Sequence, residues 1–166
     1  TRTKGLKLSL FDVAQVAEPR EIDSYVFGDA GSNSIALTDH HAFLFSKEKN
    51  LLVLPVEMSR VDVIIQELLP SSPESSIVPR EPSPIYIPFR GAAVFTVTKE
   101  GFELKGKISH SEGVFSDSSE YWYGYQYYDT TVKRSLYIGD TLYTLSNQFV
   151  KINELDDLTL VKKLEL

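Results

Sequence analysis

The chain has no cysteine in its 166 residues. That excludes disulfides, thiolate zinc sites and cysteine nucleophiles, and it leaves the compartment open. No apolar run approaches the ~20 residues a membrane helix needs. Clustered positive charge is missing too: the longest basic runs are Lys133-Arg134 and Lys162-Lys163, in a chain of net charge −6. Such a chain repels phosphate backbones, so nucleic acid is not an expected partner. There is no phosphate-binding glycine loop and no serine in a nucleophile elbow. No signal peptide opens the chain, which starts at Thr1 and enters a strand pattern by Leu6. It therefore reads as a piece of a longer precursor, with any leader upstream.

What is present is a grammar of short strands. Leu6, Leu8 and Leu10 alternate with Lys7 and Ser9, the mark of a half-buried strand. A turn at Glu18-Pro19 leads to a second strand over residues 21–27, and Gly28-Asp29-Ala30-Gly31-Ser32-Asn33-Ser34 is a loop. Residues 35–45 read as the opening strand of a second unit, residues 51–56 as a buried strand, and residues 92–98 and 102–109 as a further pair. The last unit is the cleanest. Gly139-Asp140 is a strong hairpin signal between Ser135-Leu136-Tyr137-Ile138 and Leu142-Tyr143-Thr144-Leu145. Further turns at Asn147-Gln148 and Asp156-Asp157 then give four strands in about forty residues, the size of one propeller blade.

Two stretches break the grammar. Residues 59–88 hold six prolines, at positions 70, 73, 79, 82, 84 and 88, and read as an insertion that no central strand could accommodate. A short helix over residues 61–69 is the one helical expectation. Residues 113–131 are rich in serine and tyrosine. The expected fold is thus all-β: about two and a half four-stranded β-propeller blades in an incomplete ring. The outer half-blade covers residues 6–28, a blade with the Pro/Ser-rich insertion 59–88 covers 35–109, and the last blade covers 132–165. A ring needs about four blades or more, so the free faces call for the remaining blades of a precursor or a second copy.

The residues Leu6-Lys7-Leu8-Ser9-Leu10-Phe11-Asp12-Val13, the stretch from Asp39-His40-His41 through Leu51-Leu52, and Arg134-Ser135-Leu136-Tyr137-Ile138-Gly139-Asp140-Thr141-Leu142-Tyr143-Thr144-Leu145-Ser146 carry a resemblance. They resemble secreted archaeal and bacterial proteins with a C-terminal β-propeller domain distantly related to WD40 repeats. The resemblance implies a propeller fold and a secreted or cell-surface location. It carries over no catalytic residue.

Three clusters are candidates for chemistry. His40-His41 beside Asp39 could ligate a metal or serve catalysis, but on a strand adjacent side chains point to opposite faces, so the two histidines do not easily share one ion, and the favoured reading is a polar turn leading into Phe43-Leu44-Phe45. A ligand set there would need Asp39, His41 and a distant partner such as His110. Asp23, Asp29 and Asn33, near glycines, offer oxygen ligands for calcium, although the spacing is not that of an EF-hand; apart from this calcium reading, no cofactor is expected. The run Tyr121-Trp122-Tyr123-Gly124-Tyr125-Gln126-Tyr127-Tyr128 would, if extended, present Tyr121, Tyr123 and Tyr125 on one face and Trp122 on the other. Such rings suit a protein or polysaccharide partner, or fill a core. The expected function is a non-enzymatic exported propeller segment whose loops bind a protein or cell-surface polymer. The alternatives are a hydrolase or lyase with a funnel site that includes Asp39 and His41, or a structural cell-envelope protein.

Overall fold

The computed structural model describes residues 5–62, 85–111 and 130–166. Among these residues there are ten strands, two short 3-10 turns and no α-helix. The strands are β1 (Leu6–Asp12), β2 (Arg20–Phe27), β3 (Leu44–Ser46), β4 (Leu51–Asp62), β5 (Ile85–Val97), β6 (Phe102–Ser109), β7 (Arg134–Ile138), β8 (Thr141–Leu145), β9 (Phe149–Glu154) and β10 (Leu160–Glu165). They form a two-stranded sheet β1-β2, a four-stranded middle sheet β3-β4-β5-β6 and a four-stranded third sheet β7-β8-β9-β10. Every pairing is antiparallel. The fold is all-β, and the described sheets do not close a ring.

The middle sheet is covered on both sides, and its sequence says why. Leu51 to Val56 are all buried, a continuous apolar run of the kind that a doubly covered strand requires. Successive side chains go to opposite faces. Leu52, Leu54, Val56, Ala93, Phe95 and Val97 pack with Leu6 and Phe27 of the first sheet. Leu51, Val53, Ala92, Val94 and Ile108 pack with Val132, Leu142 and Leu155. Fully burying one such Val, Leu or Phe side chain contributes roughly 1.5–3 kcal/mol. This two-faced burial is therefore what stacks the three sheets. The outward faces stay open: Ile22 and Val26 on β2, Leu136 and Ile138 on β7, and Val161 and Leu164 on β10 are exposed. Val53 and Phe95, which need stacked neighbours, find them within the chain and are fully buried, whereas Leu136 does not.

Two expectations change. Residues 35–45 are not one strand: Ile35–Leu37 and His40–Ala42 form 3-10 turns, and only Leu44–Ser46 is extended. Side-chain capping is the cause. Ser34 Oγ accepts from the Ala36 amide, and Asp39 Oδ1 accepts from the His41 amide at 3.0 Å. These local bonds offer the backbone an alternative to the ladder.

The insertion is also shorter than residues 59–88, because β4 and β5 stay paired as far as Asp62 and Ile85. The prolines are tolerated because of where their missing N–H would point. Arg90 turns its carbonyl toward the β6 side, where it accepts from the His110 amide. Pro88, two residues earlier, points the same way, beyond the Ser109 end of β6 and away from β4. Pro55 likewise faces away from β5, since Glu57 exchanges both backbone bonds with Asn33, and its carbonyl accepts from Ser34 Oγ at 2.6 Å. Val61 and Asp62 of the expected helix belong to β4; residues 63–69 lie outside the described residues.

Candidate functional site at the loop-bearing end

Antiparallel order sends the connections alternately to two ends. Those after β1, β3, β5, β7 and β9 are residues 13–19, 47–50, 98–101, 139–140 and 155–159, all short. At the other end lie the described connections 28–43 after β2 and 146–148 after β8, together with the strand ends Asp62, Ile85, Ser109 and Arg134. Contacts between sheets confirm the sorting. At the turn end Lys49 pairs with Asp140. At the loop end Asp39 pairs with Arg134, and His110 meets Ser146.

Asp39 is the centre of the loop-end cluster. As cap of the second 3-10 turn, it faces Oδ1 to both the His41 amide and His41 Nδ1, the latter at 3.2 Å. Its Oδ2 accepts from Arg134 Nη1 at 2.8 Å, which ties this turn to the start of β7. The His41 amide, then the Arg134 guanidinium, hold the Asp39 carboxyl below its usual range, so it is ionised. The His40 and His41 rings lie with centroids 3.9 Å apart. Ligand atoms of Asp39, His40 and His41 all fall within 4.8 Å of one another. The polar turn expected at Asp39-His40-His41 is what forms, a 3-10 turn, so the opposite-face argument, which applies to a strand, does not keep the two rings apart.

His110 does not join them. It is buried, with Nδ1 3.0 Å from Ser146 Oγ and Nε2 2.8 Å from Thr144 Oγ1. It pins the end of β6 to the third sheet, and burial, followed by Lys151 and Lys163, pushes its pKa down to about 4. Nearby, Glu57 Oε1 accepts from Thr131 Oγ1 at 2.8 Å while Oε2 lies 3.8 Å from Arg90 Nε. Neither the His110 pin nor Arg134 could be picked out from the sequence: the partners are remote, and Arg134 shows there only as half of a basic pair.

The three proposed calcium ligands are not brought together. Asp23 sits at the turn end, its carboxylate accepting from the Ser24 and Phe102 amides at 2.8 Å each. Asp29 lies past the other end of β2, where Oδ1 accepts from the Gly31 amide, and Asn33 bridges Glu57 through its backbone. Asp23 and Phe27 alone are ~13 Å apart at a strand rise of ~3.3 Å per residue, far beyond the reach of one calcium ion. Tyr121, Trp122, Tyr123 and Tyr125 lie outside the described residues.

Four-stranded antiparallel sheets stacked face to face, with connections alternating between two ends, define blades of a β-propeller. The family model described as a beta propeller domain matches residues 1–158, and the chain belongs to that family. No curated protein and no solved structure matches it.

Proposed function

We propose that this chain is a non-enzymatic, exported propeller segment whose loop-bearing end binds a protein or cell-surface polymer. The observation that carries the reading is the asymmetry of the two ends among the described residues: the long connection 28–43 and the Asp39–Arg134, Glu57–Thr131 and His110–Ser146 contacts gather at one end of a scaffold whose middle blade is buried on both faces. Loops held by a rigid scaffold are where binding concentrates. Export rests on the resemblance to secreted propeller proteins, and the acidic charge argues against nucleic acid. The open apolar faces of the first and third sheets are covered by further blades of a precursor or by a second copy, because such faces lose stability in water.

Binding of the chain to cell-envelope material of the producing cell tests the reading. Substitutions at the loop end, Leu37→Asp and Arg134→Gln, should weaken retention. Lys47→Gln and Glu100→Gln, at the turn end, should not. Retention that follows the turn-end substitutions, or no retention at all, would overturn the proposal.

A further inference from the structure

We propose that Asp39, His40 and His41 form a binding site for a divalent transition ion of the zinc type, with one coordination position open to solvent. Two imidazoles and a carboxylate are a donor set that Zn²⁺ accepts, and three protein ligands leave a fourth position for water. The site is new relative to the binding role of the loops and stands independently of it.

The geometry supports the set at three levels. His41 Nδ1 and Asp39 Oδ1 are 3.2 Å apart. Two ligands of a tetrahedral ion with bonds of ~2.0–2.1 Å are ~3.3 Å apart, so this pair is already spaced for coordination. His40 completes the set within 4.8 Å. Its ring is exposed and lies against that of His41, so its side chain is free to adjust its rotamer toward the ion. The backbone is fixed by the Asp39 cap, so the three donors are held on one short turn rather than gathered from distant loops.

Arg134 supplies the outer support. By holding Asp39 Oδ2, it leaves Oδ1 aimed at His41, the arrangement in which a second group orients a ligating carboxylate. Its positive charge also opposes a cation, so the site is exchangeable rather than a permanent structural centre. Two nitrogen donors disfavour calcium, which takes six to eight oxygens, and Cu²⁺ should bind more tightly than Zn²⁺.

The test uses the untagged, metal-free 166-residue chain, titrated with Zn²⁺ by calorimetry and with Co²⁺ by visible absorption. The expected result is one ion per chain, cobalt bands of a low-coordinate site, and no calcium heat. His40→Gln with His41→Gln should lower affinity at least ~tenfold and abolish the bands, with an unchanged circular dichroism spectrum. Asp39→Asn should weaken binding in the same direction. Failure of the wild-type chain to bind below about millimolar Zn²⁺, equal affinity in the double variant, or one ion shared by two chains would each overturn the site.

Discussion

The two ends of this propeller segment are built from different chemistry. At the turn end each connection is tight and locally specified. Gly139 has φ +60°, Asn50 +49° and Leu158 +62°, and the links between sheets include the lysine–carboxylate pairs Lys49–Asp140 and Lys105–Asp156 and the Asp23 carboxylate on the Phe102 amide. A groove of about 450 Å³ opens there, but those same pairs cancel its charges. At the loop end, polar groups from exposed Arg134 to buried His110 span sheets: Asp39–Arg134, Glu57–Thr131 and His110 with Thr144 and Ser146. One end closes the scaffold cheaply in residues. The other brings unlike side chains together across sheets, which is what recognition or ligation needs.

The largest effect should come from the packing that both ends depend on. Phe95 is fully buried, with ring centroids 5.1 Å from Tyr25, 5.6 Å from Phe27 and 6.1 Å from Phe102. Phe95→Ala should cost about 3–5 kcal/mol in urea unfolding, a large share of the ~5–15 kcal/mol typical of a domain. Leu37→Ala, at an exposed loop-end residue, should stay within ~0.5 kcal/mol. A small loss at Phe95 would mean that the first sheet is not docked on the middle one.

Acid should separate the ends next. His110 has a folded pKa of about 4 against an ordinary value of 6.5. The unfolded chain therefore takes up the proton first as pH falls. Stability is full above pH ~6.5 and declines between ~6.5 and ~4, by up to about 3 kcal/mol. His110→Gln should lower stability at pH 7 and flatten this decline, because the group that titrates is gone. The comparison of urea midpoints at pH 7.0 and 4.5, wild type against variant, reads both. An equally steep decline in the variant would place the acid sensitivity elsewhere.

Much of the scaffold is legible in the sequence. Gly139-Asp140 signals the β7–β8 hairpin, and Leu51 to Val56 reads as a buried strand; that it is covered on both faces is seen only in the structure. These features are local, and local chemistry decides them. The turns at residues 35–42 were read as strand because Ile35, Ala36 and Leu37 are apolar, whereas two capping side chains, Ser34 and Asp39, decide the backbone there. Pro88 reads as a breaker, but a proline blocks a ladder only on the side its missing N–H faces, and whether a partner strand lies on that side depends on where β6 ends. The loop-end cluster was half legible. Asp39, His40 and His41 stood out as residue types, while Arg134 and the place of His110 depend on how blades stack.

Turn chemistry gives a smaller effect. Gly101 has φ +148°, and a Cβ there would overlap the Asp23 carboxylate that accepts from the Phe102 amide. Gly101→Ala should cost about 1–3 kcal/mol through backbone strain and loss of that contact. Gly139 also has positive φ, but open space surrounds its Cβ position. Gly139→Asn should therefore be nearly neutral, since Asn tolerates the left-handed region. Equal costs at the two glycines would show that crowding by Asp23 contributes nothing.

The smallest effect should be at the ion pair that links the two turns. Lys49 Nζ lies 2.7 Å from Asp140 Oδ1, a good distance for a charge-assisted bond. Distance alone does not make it stabilising. The Asp140 side chain is 86 % exposed, so water solvates the carboxylate nearly as well without the lysine, and salt screens what attraction remains. The Lys49 stem, by contrast, is partly covered, and methionine keeps most of that apolar length. Lys49→Met should leave the urea midpoint unchanged within measurement error, at both low and high salt. A clear loss at low salt that vanishes at high salt would show that the turn end, like the loop end, is held by electrostatics between sheets, and the contrast between the two ends would weaken accordingly.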